Sequence, residues 1–141
     1  MDTNFEAVMR GCQTVKRKDQ GTWINEEIIE AYCDLFELGV AHSFEAYCDG
    51  KLAGGLYGLS MGRMFFGESM FSSITNASKT AFINMVRTLQ PLGFEVFDCQ
   101  IYNDHLGSLG AGNIPRSEFL EILKNNLTFD SLIGNWNRLV Q

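Results

Sequence analysis

An α+β fold is the class this sequence predicts, and three features carry the prediction. Two strand-like runs, residues 42–48 and 51–59, flank Asp49-Gly50, the strongest short signal for a β-hairpin. Helical periodicity brackets them, with apolar residues at one-four-five spacing before the hairpin and a capped stretch after it. A further apolar strand, FEVFDCQI at 94–101, follows that second helical stretch. A strand that returns through a helical crossover beside a meander gives an α+β layer rather than a pure bundle or sandwich.

Taken in order, residues 4–14 form a short helix with Phe5, Val8 and Met9 on one side. A polar loop with the basic run Lys16-Arg17-Lys18 follows, read as solvated. Asn25 caps a helix over 26–38, with Glu26 and Glu27 in its dipole-favoured first turn and Gly39 as its stop. Met61-Gly62-Arg63 turns the hairpin into a third strand, 64–69, completing an antiparallel meander. A helix over 76–89 starts at Asn76 or Ser78 and stops near Pro91 and Gly93. After the strand at 94–101, Asn103 caps a short helix ending at Gly107 or Gly110, and Pro115 suits the start of a helix over 115–125. The tail, 127–141, carries Trp136 and reads as irregular.

Composition narrows the function classes. The chain has 141 residues, 45% of them apolar and 12% aromatic, enough for the core of one domain. Lys and Arg number 11 against 17 Asp and Glu, a net charge of −6. Free-standing nucleic-acid binders need a positive footprint, so any basic surface must be local or lie on other polypeptide. Cys12, Cys33, Cys48 and Cys99 form no C-x-x-C pair, and His42 and His105 are remote from one another, which argues against a zinc site. Scattered thiols, no signal-peptide core and no apolar run of membrane length point to a soluble cytoplasmic protein.

Within FEVFDCQI, strand alternation puts Asp98 and Gln100 on one face and Phe97, Cys99 and Ile101 on the other. A carboxylate and an amide on an apolar strand must bond each other, the surrounding loops or a ligand. Both a structural tie and a binding site are open on that pattern alone.

Eight ordered motifs are more specific. GTWI at 21–24, AYCDLFELGVAHSFE at 31–45, GGLYG at 54–58, FFGESMF at 65–71, NASKTA at 76–81, DCQ at 98–100, SLGA at 108–111 and IPRSEFL at 114–120 together closely resemble the leucyl/phenylalanyl-tRNA–protein transferase family. The resemblance covers residues 2 to about 125 and implies a GNAT-type acyltransferase fold over a single domain, 1–141. Family members carry a further N-terminal, tRNA-binding domain, and this chain begins where the catalytic domain would begin. The implied activity takes leucine or phenylalanine from charged tRNA and joins it to proteins that start with Arg or Lys, marking them for degradation. Acetyl-CoA is disfavoured as donor because the junction SMFSSITNASK, 69–79, lacks the glycines of a pyrophosphate cradle.

The family likeness assigns roles. Attack of an amine on an aminoacyl ester needs a proton acceptor, oxyanion stabilisation and positioning, with no metal or other cofactor. In the DCQ motif, the Gln100 carbonyl oxygen would accept from the attacking amine and Asp98 would orient and polarise that amide, with the tRNA 2′-hydroxyl sharing the proton. Glu68 would bind the acceptor's amine or basic side chain; as a residue alone it reads equally as a structural carboxylate. Leu56, Phe65, Met70 and Met85 match an adaptable apolar pocket for the donor side chain, although such a set is also ordinary core. Phe97 is a weaker candidate, because alternation turns it away from Asp98. Trp23 would stack on the terminal adenosine, worth about 1–3 kcal/mol, or else staple the helix that follows; Tyr32 matches a position near the same end. His42 and His105 are expected in structural hydrogen bonds, Asn103 as a cap, and Cys99 away from the chemistry. A module that binds aminoacyl ends or protein N-termini without turnover is the rival reading. With few free cations, the chain alone is expected to bind tRNA weakly.

Overall fold

The computed structural model describes residues 1–15 and 22–138, so the Lys16-Arg17-Lys18 run lies outside the described residues. Helix α1 (Phe5–Thr14) and helix α2 (Glu26–Glu37) precede strands β1 (Ala41–Cys48), β2 (Lys51–Met61) and β3 (Met64–Ser72). Helix α3 (Ala77–Leu89) then leads to β4 (Val96–Asp98), followed by α4 (Asp104–Gly107) and α5 (Arg116–Asn126). The strands lie in the order β1-β2-β3-β4, antiparallel except for β3 and β4, which run parallel. This mixed four-stranded sheet with helices on both faces is the expected α+β layout.

Local chemistry explains the element ends. The Asn25 side chain accepts from the Ile28 amide and caps α2, and Asn103 accepts from Leu106 to start α4. Asp49 and Gly50 have φ of 50° and 74°, the left-handed pair that a two-residue hairpin turn requires. At the next hairpin Gly62 has φ of 59°, and a Cβ there would sit 2.5 Å from the Asn126 carbonyl. Asn126, at the end of α5, clasps this turn: its Oδ1 accepts from Arg63 N and its Nδ2 donates to Met61 O.

Two apolar clusters sandwich the sheet. Phe5, Val8, Met9 and Cys12 of α1 and Ile29 of α2 pack with Tyr57 and Phe71 on one face. Ala81, Met85 and Leu89 of α3 pack with Phe44, Leu56 and Phe65 on the other. The N-terminus of α3 reaches β2 because residue 54 is glycine; a Cβ there would lie 2.7 Å from that of Ala77.

Four expectations are corrected. The strand at 94–101 shortens to 96–98, because Gln100 adopts φ of 62° and leaves the ladder. β3 runs past residue 69 to Ser72. Neither Asn76 nor Ser78 caps α3 with its side chain; Asn76 is left-handed, and the Ser72 hydroxyl accepts from Ser78 N instead. The irregular tail is structural. Trp136 is 1% exposed, stacks on His42 at 3.5 Å and donates its backbone N–H to the Asp2 carboxylate. That carboxylate also accepts from Ser43 N and bonds His42 Nδ1, so one side chain joins the N-terminal segment, β1 and the tail.

Replacing Trp136 with Ala should lower unfolding free energy by about 3–5 kcal/mol. A urea titration checks this, and a loss under about 1 kcal/mol would show that the tail is not part of the core.

Candidate active site

Where β3 and β4 stop pairing, the sheet opens. Their register covers Met64↔Val96, Phe65↔Phe97 and Phe66↔Asp98, and β3 then continues alone past Gly67. The space between the diverging chains is a cavity of about 490 Å³, within the usual range for small-ligand sites of about 300–1,000 Å³. Its apolar wall comprises Leu56, Phe65 and Met70 from the sheet, Phe82 and Met85 from α3, and Phe97 from β4. Its polar side holds Glu68, Asp98 and Gln100, with Trp23 at the margin, 46% exposed.

All four residues expected in the apolar pocket are therefore brought together. Phe97 belongs with them, contrary to the alternation argument. It pairs with Phe65 in the ladder and packs on the α3-side cluster. Directly paired residues share a face, so Phe97 follows Phe65 inward.

Asp98 and Gln100 are neighbours by a different route from shared strand alternation. Asp98 Oδ1 accepts from the Gln100 backbone N–H at 2.8 Å, closing a turn one residue after β4 ends. The Asp98 carboxylate thus fixes the backbone of Gln100, where orientation of its side-chain amide was expected. The Gln100 amide is oriented instead by Gly67, whose carbonyl accepts from Nε2 at 3.1 Å. Among the described residues Gln100 Oε1 has no hydrogen-bond partner. Gln100 holds a left-handed φ of 62° with a full side chain, a conformation that costs of order 1–3 kcal/mol and persists where the surroundings enforce it.

Glu68 reaches the cavity through a bulge. Tyr57 pairs with Ser69 but Gly58 pairs with Gly67, which leaves Glu68 as the extra residue. Gly58 is required opposite it, since a Cβ there would meet the Phe65 ring at 2.7 Å. Tyr32 does not line the cavity. It sits behind the site, its ring edge-on to Tyr57 at 5.3 Å, on the side of the sheet that faces α1 and α2. Burial, reinforced by Glu68, pushes the Tyr32 phenol up to about 12.

The remaining positions divide, His42 meeting its expectation and His105 and Cys99 departing from theirs. His42 is structural, fully buried between Asp2 and Trp136. His105 is exposed and lines the cavity rim, as do Asn103 and Ile101. Cys99 also lines the cavity, with its thiol raised by burial and then by Asp98, so it is a poor nucleophile. No group of three or more His, Cys, Asp or Glu side chains among the described residues is arranged to hold a metal.

A family model for leucyl/phenylalanyl-tRNA protein transferase matches residues 1–124. The chain belongs to this family. It is 53% identical over 135 residues to the leucyl/phenylalanyl-tRNA–protein transferase of Nitrosospira multiformis, covering 96% of this chain and 58% of that protein. The Chromobacterium violaceum protein of the same name is 54% identical over 127 residues, covering 90% and 54% respectively. The Flavobacterium johnsoniae protein is 52% identical over 123 residues, covering 86% and 58%. The chain thus spans a little over half the length of these relatives.

The Tyr32–Glu68 contact has a pH signature. A phenol at about 12 in the folded chain against an ordinary 10.0 keeps its proton longer when folded, so its stabilisation is present below pH 10 and lost as pH rises towards 12. Tyr32→Phe should flatten the decline of stability across that window, measured by urea midpoints at several pH values. An unchanged slope would remove this contact from the account.

Proposed function

We propose that this chain is the aminoacyl-transfer unit of its family, a single GNAT-type domain over residues 1–141. It takes leucine or phenylalanine from aminoacyl-tRNA and joins it to the N-terminal Arg or Lys of acceptor proteins, feeding their degradation in the cytoplasm. The observation that carries the reading is the pairing, in one cavity, of an apolar wall of leucine, methionine and phenylalanine with a polar end formed by Glu68, Asp98 and Gln100. The names of the relatives, a sheet whose sole parallel pair parts at the cavity, and the lack of glycine at the start of α3 support it.

In this reading the donor side chain enters the apolar wall, where Met70 and Met85 adapt to either guest. Trp23 stacks on the terminal adenine at the open margin, with Tyr32 on the helix near the same end. Glu68 attracts the cationic acceptor. Gln100 Oε1 accepts a hydrogen bond from the acceptor's amine, raising its nucleophilicity towards the ester carbonyl. Asp98 is a positioning residue that keeps Gln100 in its left-handed turn. The ester is activated by its own leaving group, the ribose hydroxyl, so no cofactor enters the reaction.

Asp98→Ala and Gln100→Ala should each lower transfer from phenylalanyl-tRNA to an Arg-initiated peptide by at least about 100-fold. Gln100→Gly separates folding from chemistry, because it removes the amide while relieving the left-handed strain. It should be as stable as wild type and equally inactive. Near-wild-type rates in these variants would overturn the mechanism and leave binding without turnover as the better reading.

Enlarging the wall tests the donor pocket. Met85→Trp or Leu56→Trp should reduce phenylalanine transfer more than leucine transfer, because a filled cavity resists the larger guest. An unchanged ratio of the two products would place the donor side chain elsewhere.

A further inference from the structure

A second cavity, of about 350 Å³, adjoins the first and shares His105 with it. Its lining is Ser72, Ser73, Ile74, Thr75, Asn76, Ser78 and Lys79, together with His105, at the junction of β3 and α3. In a chain of net charge −6, no carboxylate among the described residues lines this cavity, whereas Glu68 and Asp98 both line its neighbour. The two cavities therefore differ in the charge they tolerate: the first suits a cation or an apolar guest, the second an anion.

Three of the backbone amides at this helix start are committed. Ala77 N donates to Ile74 O, Ser78 N to the Ser72 hydroxyl and Thr80 N to Asn76 O. The Ser72 hydroxyl itself donates to Ile74 O, and that of Ser73 to Ala53 O. These three N–H groups are thus unavailable to a ligand. Side chains remain. Ser78 is only 6% exposed yet its hydroxyl makes no hydrogen bond among the described residues, although it forms part of the cavity wall. The Lys79 ammonium has no ion pair among the described residues.

We propose that this second cavity seats one phosphate of the donor RNA, the 5′-phosphate of the terminal nucleoside, bonded by the Ser78 hydroxyl and Lys79, with His105 at the boundary. The proposal rests on the donor reading of the first cavity and adds where the phosphodiester chain leaves it. Charge-assisted hydrogen bonds from a hydroxyl and an ammonium to phosphate are among the stronger polar contacts, and the dipole of α3 adds favourable potential. The site also gives an acidic chain a local means of holding a polyanion end.

The test compares two stable ligands differing in one group: adenosine bearing phenylalanine through a 3′-amide, and the same molecule with a 5′-phosphate. Binding of both to the full chain is measured by NMR titration. The nucleoside should shift resonances of the first cavity, and the phosphate should tighten binding about tenfold, equivalent to about 1.4 kcal/mol, with new shifts at residues 72–79. Lys79→Ala and Ser78→Ala should each remove most of that gain while leaving nucleoside affinity unchanged, and added salt should shrink it. If the nucleoside itself fails to bind, the donor reading falls. If the nucleoside binds and the phosphate adds nothing, or its gain survives both variants, this proposal falls. Inorganic phosphate is the remaining arm: shifts at 72–79 from it, with no gain from the 5′-phosphate, would mark a free-anion site and overturn the RNA assignment.

Discussion

The short parallel pairing of β3 with β4 is the constraint on which the site depends. Three residue pairs hold the strands together, and then β3 goes on while the other chain turns away. A full ladder would leave no room between them, and no ladder would leave Asp98 and Gln100 unplaced. The turn that ends the pairing is built from the same two residues: the Asp98 carboxylate takes the Gln100 amide, and Gln100 returns a bond to Gly67 across the opening. The groups that open the cavity are the groups that line it.

The sheet separates support from recognition. On its α1–α2 face, aromatic contacts among Phe5, Phe36, Tyr32 and Tyr57 make a packed layer. On the α3 face, the side chains near Phe65 are divided between core and cavity wall. Glu68 connects the layers. The bulge lets a carboxylate belong to the cavity while Tyr32, near it, sits on the packed side.

What could be read in advance follows from how local each signal is. Asn25, Asn103 and Asp49-Gly50 act within a few residues, and each shaped its helix start or turn as its chemistry dictates. Leu56, Phe65, Met70 and Met85 meet in the cavity as the family motifs implied. The strand at 94–101 failed because apolar alternation is blind to a side chain that captures its own backbone, as Asp98 does. Phe97 was turned the wrong way by the same reasoning, since an isolated run does not say which face of its partner it meets. Tyr32 was placed beside the ligand, though its residue type cannot distinguish contact from support. Asn76 was read as a cap, but its left-handed backbone passes that task to Ser72, four residues earlier. The role of Trp136 had no nearby signal, because its partners Asp2 and His42 are distant in sequence.

That distance shapes how the molecule assembles. The bond from Trp136 to Asp2 closes a loop with a sequence separation of 134. Closing so long a loop costs several kcal/mol of chain entropy on a logarithmic scale, roughly 4 kcal/mol before its constant. The meander and α3, by holding its partners near, lower that cost. Trp136 packs against Phe44, Phe65 and Phe94, and Phe65 is also a wall of the first cavity. Without the tail, Phe65 would lack the aromatic backing that sets it in place. The shape of the first cavity is therefore tied, through Trp136, to a contact between residues far apart along the chain.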